Sequence, residues 1–327
     1  MKIKKELIIL AAIILVLVLY LMFRNQDKVQ YQIPKIPEIA KNDISKIEIS
    51  KREGDLLINK KDNTWRISPQ EYLLDKTKID NMLEIIGDLT LDSLVSESKN
   101  YFQYDLVDDK RISIKAWNGD TLVREFDIGK VGPSYQHTFI KLKDDYRVFL
   151  ARQSFRSRFD QTVDDLRDKT VLTFEKTEIL GIDITTGGKS LNLMRNEIPQ
   201  EATDEEKTDE QKKEPPVMET IWQTATGEKK EKAKIDQILA DFVNLKCDSY
   251  IDQQTKEDFK DPIYTIQFKG IKDYTLSIFA KMESDANNYP AISSENDYPF
   301  SLPEWRVKDI QKKANELVGK ITGPGDK

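Results

Sequence analysis

The single histidine and the single cysteine are the side chains best suited to act as a base, a nucleophile or a zinc ligand. His137 lies in an alternating run that predicts a strand. No second histidine accompanies it, so zinc ligation is poorly supported. Cys247 stands where an earlier copy of the same pattern has Leu91, which predicts a small buried side chain instead of a nucleophile. One cysteine also excludes an intrachain disulfide.

Paired carboxylates are further candidates for acid–base chemistry, because a glycosidase holds two carboxyl groups across a cleft. All of the pairs occur in loop-like or helix-surface contexts, which favours solvated charge over catalysis. The four pairs are Asp108-Asp109, Asp144-Asp145, Asp164-Asp165 and Glu205-Glu206. The sequence therefore predicts no catalytic, cofactor-binding or metal-binding residue, and a carboxylate-dependent hydrolase is the least favoured function.

Motifs for phosphate binding and ester hydrolysis are missing. Gly187-Gly188-Lys189-Ser190 resembles the end of a phosphate-binding loop, but it lacks the first glycine and lies between two predicted strands, so we interpret it as a hairpin turn. The pattern G-x-S-x-G does not occur. The net charge of −6 argues against general nucleic-acid binding. A local basic stripe is more typical of a solvated helix face, and it consists of Arg152, Arg156 and Arg158.

Several aromatic side chains are of a type that lines ligand sites, although we interpret them as core and rim residues. Trp65 and Trp222 recur at equivalent positions of a repeat, which indicates a shared packing role instead of sugar stacking. The other aromatic candidates are Tyr101, Phe102, Tyr104, Tyr289 and Tyr298.

The elements that must position these side chains are duplicated. The segment 75–95 recurs as 231–251 at a constant shift of 156 residues. Its apolar residues have helical spacing and predict helices over 76–89 and 232–245, with Asp75 as the N-cap of the first. The matching pairs are Ile79/Ile235, Met82/Ile238, Leu83/Leu239, Ile86/Phe242 and Leu89/Leu245. Because one face of each helix is apolar, each helix must pack on a sheet.

Alternating runs on both sides of each helix predict the strands of that sheet. Asn118-Gly119 between two such runs predicts a hairpin with a type I′ turn. The first copy has predicted strands at 44–50, 56–60, 65–67, 111–117, 122–128, 137–142 and 147–150. The second copy has them at 179–184, 190–194, 263–268, 274–279 and 299–302.

The predicted fold class is α+β: two tandem repeats of a mainly antiparallel sheet with one packed helix plus a closing helix, preceded by a single N-terminal transmembrane helix. The closing helices are expected over 154–166 and 303–318. The predicted organisation is a cytoplasmic tip and signal anchor at 1–28, an extended stalk at 29–43, repeats at 44–170 and 171–318, a disordered charged insertion at 197–216 and a flexible tail at 319–327.

The predicted anchor, residues 7–23, is apolar without a break. Its 17 residues give about 25 Å of helix, near the lower limit for a membrane span. It shows no polar face, as a buried helix would, and no small-residue cleavage site, as a signal peptide would. We therefore interpret it as an uncleaved signal anchor.

Charges flanking this segment predict its orientation. Lys2, Lys4 and Lys5 precede the apolar run, against Arg24 and Lys28 after it. The positive-inside rule then favours a single-pass protein of the cytoplasmic (inner) membrane with its N-terminus inside and the bulk of the chain on the periplasmic or extracellular side.

The first repeat contains a set of short motifs: Ile47-Glu48-Ile49, Trp65-Arg66-Ile67, Ile79-Asp80 with Leu83, Leu89, Asp92 and Val95, Tyr104-Asp105-Leu106, and Phe126-Asp127-Ile128-Gly129. Together with the repeat pattern, these motifs resemble the domain-of-unknown-function 4340 family of bacterial envelope proteins, over residues 44–166 and more loosely 179–318. The resemblance implies association with ABC transporters, often beside components similar to the gliding-motility auxiliary protein GldG, and supplies no catalytic residues. The second repeat departs from the pattern, with Ser277-Ile278-Phe279-Ala280 expected in place of the first-repeat glycine turn.

The expected function is a non-catalytic, membrane-anchored extracytoplasmic auxiliary subunit, not an enzyme and without a cofactor. Its expected partners are the membrane and an ABC permease or other envelope protein, with no nucleic acid. The alternative is an extracytoplasmic module that binds a glycan, a lipid or a peptide. A bound transporter would favour the first function, and a ligand that raises the melting temperature would favour the second.

Overall fold

The chain forms two compact units, residues 1–161 (unit 1) and residues 162–327 (unit 2). A computed structural model describes residues 5–23, 32–199, 218–282, 285 and 287–318. The helices are α1 Lys5–Phe23, α2 Lys76–Gly87, α3 Arg156–Phe159, α4 Val163–Leu166, α5 Lys232–Phe242 and α6 Glu304–Val318.

Unit 1 is built on one antiparallel nine-stranded sheet. Its strands are β1 Lys46–Lys51, β2 Gly54–Lys61, β3 Thr64–Ser68, β4 Tyr72–Leu73, β5 Leu91–Ser96, β6 Ile112–Asn118, β7 Thr121–Val131, β8 His137–Leu142 and β9 Val148–Arg152. The spatial order is β4-β3-β2-β1-β6-β7-β8-β9-β5. Helix α2 follows the strand at one edge and precedes the strand at the other, so it carries the chain from edge to edge of the sheet.

Unit 2 repeats this plan. Its strands are β10 Thr170–Thr173, β11 Ile179–Thr186, β12 Lys189–Pro199, β13 Met218–Thr224, β14 Lys229–Lys230, β15 Asn244–Lys246, β16 Ser249–Tyr250, β17 Tyr264–Gly270, β18 Tyr274–Ile278, β19 Asn288–Ser293 and β20 Phe300–Pro303. The nine-stranded sheet has the order β14-β13-β12-β11-β17-β18-β19-β20-β16, which is the order of unit 1 strand for strand. Strands β10 and β15 form a separate pair. The α+β class with two large antiparallel sheets is therefore confirmed.

Strand pairing gives the residue-by-residue equivalence of the two units. Lys51 pairs with Gly54 where the first hairpin closes, and Thr186 pairs with Lys189 at the same point of unit 2. Following the pairs across each sheet makes Phe126 of β7 equivalent to Leu276 of β18. The motif Phe126-Asp127-Ile128-Gly129 thus corresponds to residues 276–279. The predicted correspondence with 277–280 is wrong by one residue, because the connecting loops of the two copies differ in length.

The apolar faces predicted for the two repeat helices are buried in both units. Ile79, Met82, Leu83 and Ile86 of α2 are at most 4 % exposed, because a helix with one apolar face lowers its free energy by packing that face on the sheet. Their counterparts in α5 are equally buried, namely Ile235, Ile238, Leu239 and Phe242. The side chain of Asp75 accepts a 3.1 Å hydrogen bond from the N–H of Lys78, which confirms the predicted N-cap.

Both repeat helices end earlier than predicted. Helix α2 stops at Gly87, whose carbonyl accepts a 3.1 Å hydrogen bond from the N–H of Ile39. A Cβ atom at Gly87 would lie 2.6 Å from the carbonyl oxygen of Ile39, so only glycine admits this approach. In the second copy, Leu245 leaves the helix and pairs in β15 with Leu172 of β10. Tertiary contacts therefore decide both helix ends.

Three further predictions need correction or lie outside the described residues. The closing helix expected over 154–166 is two single turns, α3 and α4, because Thr162 and Asp165 form a capping box that starts a new helix. Residues 197–199 of the expected disordered insertion belong to β12, where backbone pairing with β13 holds them. Residues 200–216 of that insertion and the expected tail, 319–327, lie outside the described residues.

Two hairpin turns can be compared with their predictions. Gly187 and Gly188 join β11 to β12 with φ of +51° and +77°, so the interpretation of this segment as a turn is confirmed. The turn between β6 and β7 closes with Asn118 paired to Thr121, which makes Gly119 the first central residue, with φ of +57°. Asn118 therefore ends a strand instead of occupying the turn.

The apolar N-terminal run lies within helix α1, which has 19 residues. Among the helices of the described ranges, none has both the length and the hydropathy needed to cross a membrane. The transmembrane anchor therefore stays a prediction.

The expected stalk is partly docked. Residues 29–31 lie outside the described ranges, and 32–40 have no regular secondary structure. The N–H of Ile39 bonds to Gly87, and the ammonium of Lys41 lies 3.3 Å from the carboxylate of Glu84. The last part of the segment thus packs against α2.

Candidate functional site

His137 begins strand β8 and lies between a serine and an aspartate. Its Nδ1 is 3.0 Å from Ser134 Oγ, and its Nε2 is 3.6 Å from Asp92 Oδ2. The three residue types are those of a hydrolase triad, but the serine contacts the opposite ring nitrogen and 3.6 Å is too long for a hydrogen bond. Ser134 Oγ also accepts the N–H of Gln136 at 3.4 Å, within an exposed turn. We interpret this arrangement as support for the turn.

Cys247 is buried in the core of unit 2, with 8 % of its surface exposed. Burial raises the pKa of its thiol to about 11. At neutral pH the sulfur is then protonated, and a protonated thiol is a poor nucleophile. The predicted packing role of this residue agrees with its position.

The acidic pairs within the described residues serve local structure. The guanidinium of Arg147 donates to both carboxylate oxygens of Asp145, at 3.0 to 3.2 Å from Nε and 2.8 Å from Nη2, and lowers the pKa of this carboxyl. Asp165 caps α4. Glu205-Glu206 lies outside the described residues. Two further members of the acidic pairs form ion pairs, Asp108 with Arg111 at 2.9 Å and Asp164 with Lys169 at 2.6 Å.

The three arginines of the predicted basic stripe do not share a helix face. Arg152 ends β9, whereas Arg156 and Arg158 belong to α3. Arg156 donates to the carbonyls of Gly129 at 2.9 Å and Lys110 at 2.7 Å. The prediction of a solvated helix face is therefore wrong, because Arg156 joins two chain segments.

The aromatic candidates behave mostly as packing residues. Trp65 and Trp222 occupy equivalent positions on β3 and β13 and are 9 % and 2 % exposed. Tyr101 and Tyr104 pack with Leu106 and its neighbours, whereas Phe102 is 67 % exposed under the ammonium of Lys110. Tyr289 packs on the core of unit 2. Tyr298 meets the ring of Tyr250 edge-on at 6.3 Å.

A cleft of about 590 Å3 opens at the β16 edge of the sheet in unit 2. Its floor is a row across three neighbouring strands: Ser249 of β16 pairs with Ser301 of β20, which pairs with Pro290 of β19. The hydroxyls of the two serines lie 2.7 Å apart. Small side chains in adjacent strands leave space above this part of the sheet, and that space is the cleft.

The equivalent row of unit 1 is filled. There Ser93 pairs with Leu150, which pairs with Phe139. Leu150 and Phe139 pack with Leu106, and the ring of Phe139 lies 5.0 Å from that of Tyr104. The same scaffold thus carries a covered face in one copy and an open cleft in the other.

The walls of the cleft combine polar and apolar groups. One wall is the turn 251–254 that follows β16, and the other contains Met282, Asp285 and Asn288. The carboxylate of Asp285 accepts hydrogen bonds from the backbone N–H groups of Asn287 and Asn288 and from the amide of Asn288, at 2.9 to 3.2 Å. These donors, the Asn288 side chain first, lower the pKa of Asp285, so its carboxylate is ionised at neutral pH.

Tyr250 follows Ser249 in β16, and its ring lies on the opposite face of the sheet, packed against the core of unit 2. Its hydroxyl donates to the carbonyl of Asp168 at 2.6 Å and accepts from the amide of Asn296 at 3.1 Å. The guanidinium of Arg167 lies 3.7 Å from the centre of its ring and 2.7 Å from a carboxylate oxygen of Asp252. Burial raises the pKa of Tyr250, so the hydroxyl remains a donor. Arg167 is 2 % exposed and fixes both the ring and Asp252.

This arrangement suits reversible binding. The lining offers hydroxyl, amide and carboxylate groups beside the side chains of Met282 and Pro290. Its volume lies within the roughly 300–1,000 Å3 of small-ligand sites. Across the described ranges, no group of three or more histidine, cysteine, aspartate or glutamate side chains is placed to hold a metal ion.

None of the residues predicted from the sequence to bind or react indicates this cleft. The signal in the sequence is at two equivalent positions of the repeats, where the first copy has an apolar residue and the second a polar one. Leu150 corresponds to Ser301, and Leu94 corresponds to Tyr250. A comparison that considers only the positions shared by the two repeats does not show these differences.

Comparison with known proteins identifies a family. The model described as Domain of unknown function (DUF4340) matches residues 65–262. This is more than half of the chain, and the chain therefore belongs to the DUF4340 family. No curated protein and no solved structure matches the chain.

Proposed function

We propose that this DUF4340 family member is a non-catalytic auxiliary subunit, anchored in the cytoplasmic membrane by residues 7–23, whose two units bind an ABC permease or another envelope protein outside the cytoplasm. The observation that carries the proposal is the duplicated nine-stranded unit that follows an apolar N-terminal run. Duplicated sheet units of this kind offer large, regular surfaces for protein contact.

The local roles of the reactive side chains support a non-catalytic function. Cys247 is buried with a raised pKa, Asp145 is bound by Arg147, and Asp165 caps a helix. Each of these groups is accounted for by the stability of the fold. The family resemblance implies the transporter as partner.

Affinity purification tests the partner. The full chain, tagged at its C-terminus and expressed at its native level, is solubilised in detergent and captured, and co-purifying proteins are identified by mass spectrometry. We expect a permease or an ATPase of an ABC transporter. The control carries a cleavable signal peptide in place of residues 1–28 and should recover much less of the partner. Recovery of the bait alone would contradict the proposal.

Reporter fusions test the location. Alkaline phosphatase fused after residue 318 should be active, because that enzyme needs an oxidising compartment. A fluorescent protein that folds only in the cytosol should stay dark at the same position. The opposite result would show that the two units face the cytoplasm.

A second candidate function, an extracytoplasmic binding module, is favoured by the open cleft of unit 2. The equivalent face of unit 1 is covered by Leu150 and Phe139, whereas unit 2 has Ser301 and Pro290 there. Ligand binding to unit 2 is compatible with the auxiliary role, since a transporter subunit can present a bound molecule to its partner.

A further inference from the structure

We propose that the cleft of unit 2 binds a neutral saccharide that carries both hydroxyl and amide groups. This inference rests on the second candidate function, ligand binding by unit 2, and it does not require the membrane partner. It follows from the charge, the hydrogen-bonding groups and the shape of the cleft.

The charge of the lining excludes strongly anionic ligands. No lysine or arginine is among the described residues that line the cleft, and Asp252 and Asp285 both do. A phosphate or carboxylate ligand would approach the carboxylate of Asp285, and the described lining supplies no lysine or arginine to bind the negative charge of the ligand.

The carboxylates are nevertheless poor sites for a cationic ligand. Asp252 already pairs with the guanidinium of Arg167, and Asp285 already accepts three N–H groups. Both carboxylates thus already have partners, and a neutral ligand needs no desolvated countercharge.

The neutral groups match a saccharide with amide substituents. Gln253, Gln254 and Asn288 each present a carbonyl oxygen and an NH2 group, and the hydroxyls of Ser249 and Ser301 lie at the floor. Such groups both donate and accept, as sugar hydroxyls and acetamido groups do.

The apolar part of the lining matches the other face of a sugar ring. Met282 and Pro290 line the cleft beside these polar groups. A pyranose has a face of C–H groups and an edge of hydroxyls, so it contacts both kinds of surface at once.

Comparison of the two units suggests the variant that tests the cleft most directly. Ser301→Leu introduces the side chain that Leu150 provides at the equivalent position of unit 1, and it should fill the floor of the cleft. Gln254→Ala removes one amide from the wall. Asn192→Leu makes the same type of polar-to-leucine change at an exposed position of β12 and serves as the matched control.

Isothermal titration of the detergent-solubilised full chain tests the proposal, with triacetylchitotriose, trilysine and inorganic phosphate as separate probes. We expect binding of triacetylchitotriose alone. Ser301→Leu should weaken it more than tenfold, Gln254→Ala about three- to tenfold, and Asn192→Leu not at all. Circular dichroism checks the folding of each variant, and Gln254→Ala decides the question if Ser301→Leu fails to fold.

Three outcomes would overturn the inference: no binding of the trisaccharide, preferential binding of trilysine or phosphate, or trisaccharide binding that Ser301→Leu and Gln254→Ala leave unchanged. These results are separable from the transporter proposal. Saccharide binding is measured without a partner protein, and partner capture is measured without the saccharide.

Discussion

Arg124 donates a 2.7 Å hydrogen bond from Nη1 to the backbone carbonyl of Ile86, in the last turn of α2. Its Nη2 donates to the carbonyl of Pro37. The side chain is buried, with 7 % exposed, and burial lowers the pKa of the guanidinium. One arginine of β7 thus joins the end of the repeat helix to the segment that leads into unit 1.

Arg124→Leu should lower the free energy of unfolding of unit 1 by about 2–4 kcal/mol, because it removes two charge-assisted hydrogen bonds and takes this donor from the carbonyl of the buried Ile86. Chemical denaturation followed by circular dichroism measures this loss. Arg52→Leu at an exposed turn of the same unit is the control and should change stability by less than about 0.5 kcal/mol. Equal effects of the two changes would contradict this role of Arg124.

Gly129→Ala should destabilise unit 1 by about 2 kcal/mol or more. A Cβ atom at Gly129 would lie 2.2 Å from the carbonyl oxygen of Tyr104, so the backbone must shift. Thermal unfolding measures the effect. Gly181→Ala is the milder comparison, since its Cβ would meet Leu193 O at 3.3 Å. A Gly129→Ala variant with unchanged stability would show that the backbone at Tyr104 can move away without a cost in free energy.

Asp145→Asn should lower stability at pH 7 by about 0.5 kcal/mol, the scale of an ion pair near the surface. Hydrogen bonds from Arg147 lower the pKa of Asp145 in the folded state. The pair therefore contributes stability above the unfolded pKa of about 3.9 and loses it as the pH falls through the folded pKa.

The difference in stability between wild type and Asp145→Asn should accordingly shrink as the pH falls below the unfolded pKa. Urea denaturation at a series of pH values provides the measurement. Asp144→Asn removes the same charge from the same turn and is the control. A difference that stays constant down to pH 2 would rule out the ion pair as its source.

Cys247 should resist alkylation by iodoacetamide at pH 8 in the folded protein and react in urea. With a pKa of about 11, roughly one thiol in a thousand is ionised at that pH, and the side chain is buried. Mass spectrometry detects the adduct. A Ser190→Cys variant adds an exposed thiol that should react within minutes and serves as the positive control. Rapid labelling of native Cys247 would contradict the assigned burial.

Much of the fold follows from local patterns in the sequence. Ile47 and Ile49 alternate with polar residues and lie on β1 with their side chains buried, and the stripe from Ile79 to Ile86 gives the repeat helix. These patterns arise because one face of each element is covered. Duplication reinforces them, since the same pattern occurs at Ile235 and beyond.

Other elements depend on partners that are distant in the chain. Strand β16 contains only Ser249 and Tyr250, and strand β19 includes Pro290, so neither has a readable alternation. They are strands because β20 lies between them and pairs with both. For the same reason β12 extends to Pro199, into the charged segment where disorder was predicted.

The candidate site is the least predictable part. Arg167 and Asp252 are 85 positions apart, and nothing in either local sequence connects them. The substitution of Leu150 by Ser301 between copies is visible in an alignment of the repeats, but its meaning requires the three-strand row that places Ser301 beside Pro290.

The docking of residues 37–41 on α2 has a mechanical consequence. A pull on the chain from its N-terminal side reaches Pro37 first, and through Arg124 the load passes into the interior strand β7 and the end of α2. Neither edge strand of the sheet bears it. If the apolar run at the N-terminus is fixed in a bilayer, a force on unit 1 would be carried by an interior strand and the repeat helix, and the strands at the sheet edges would not be separated first.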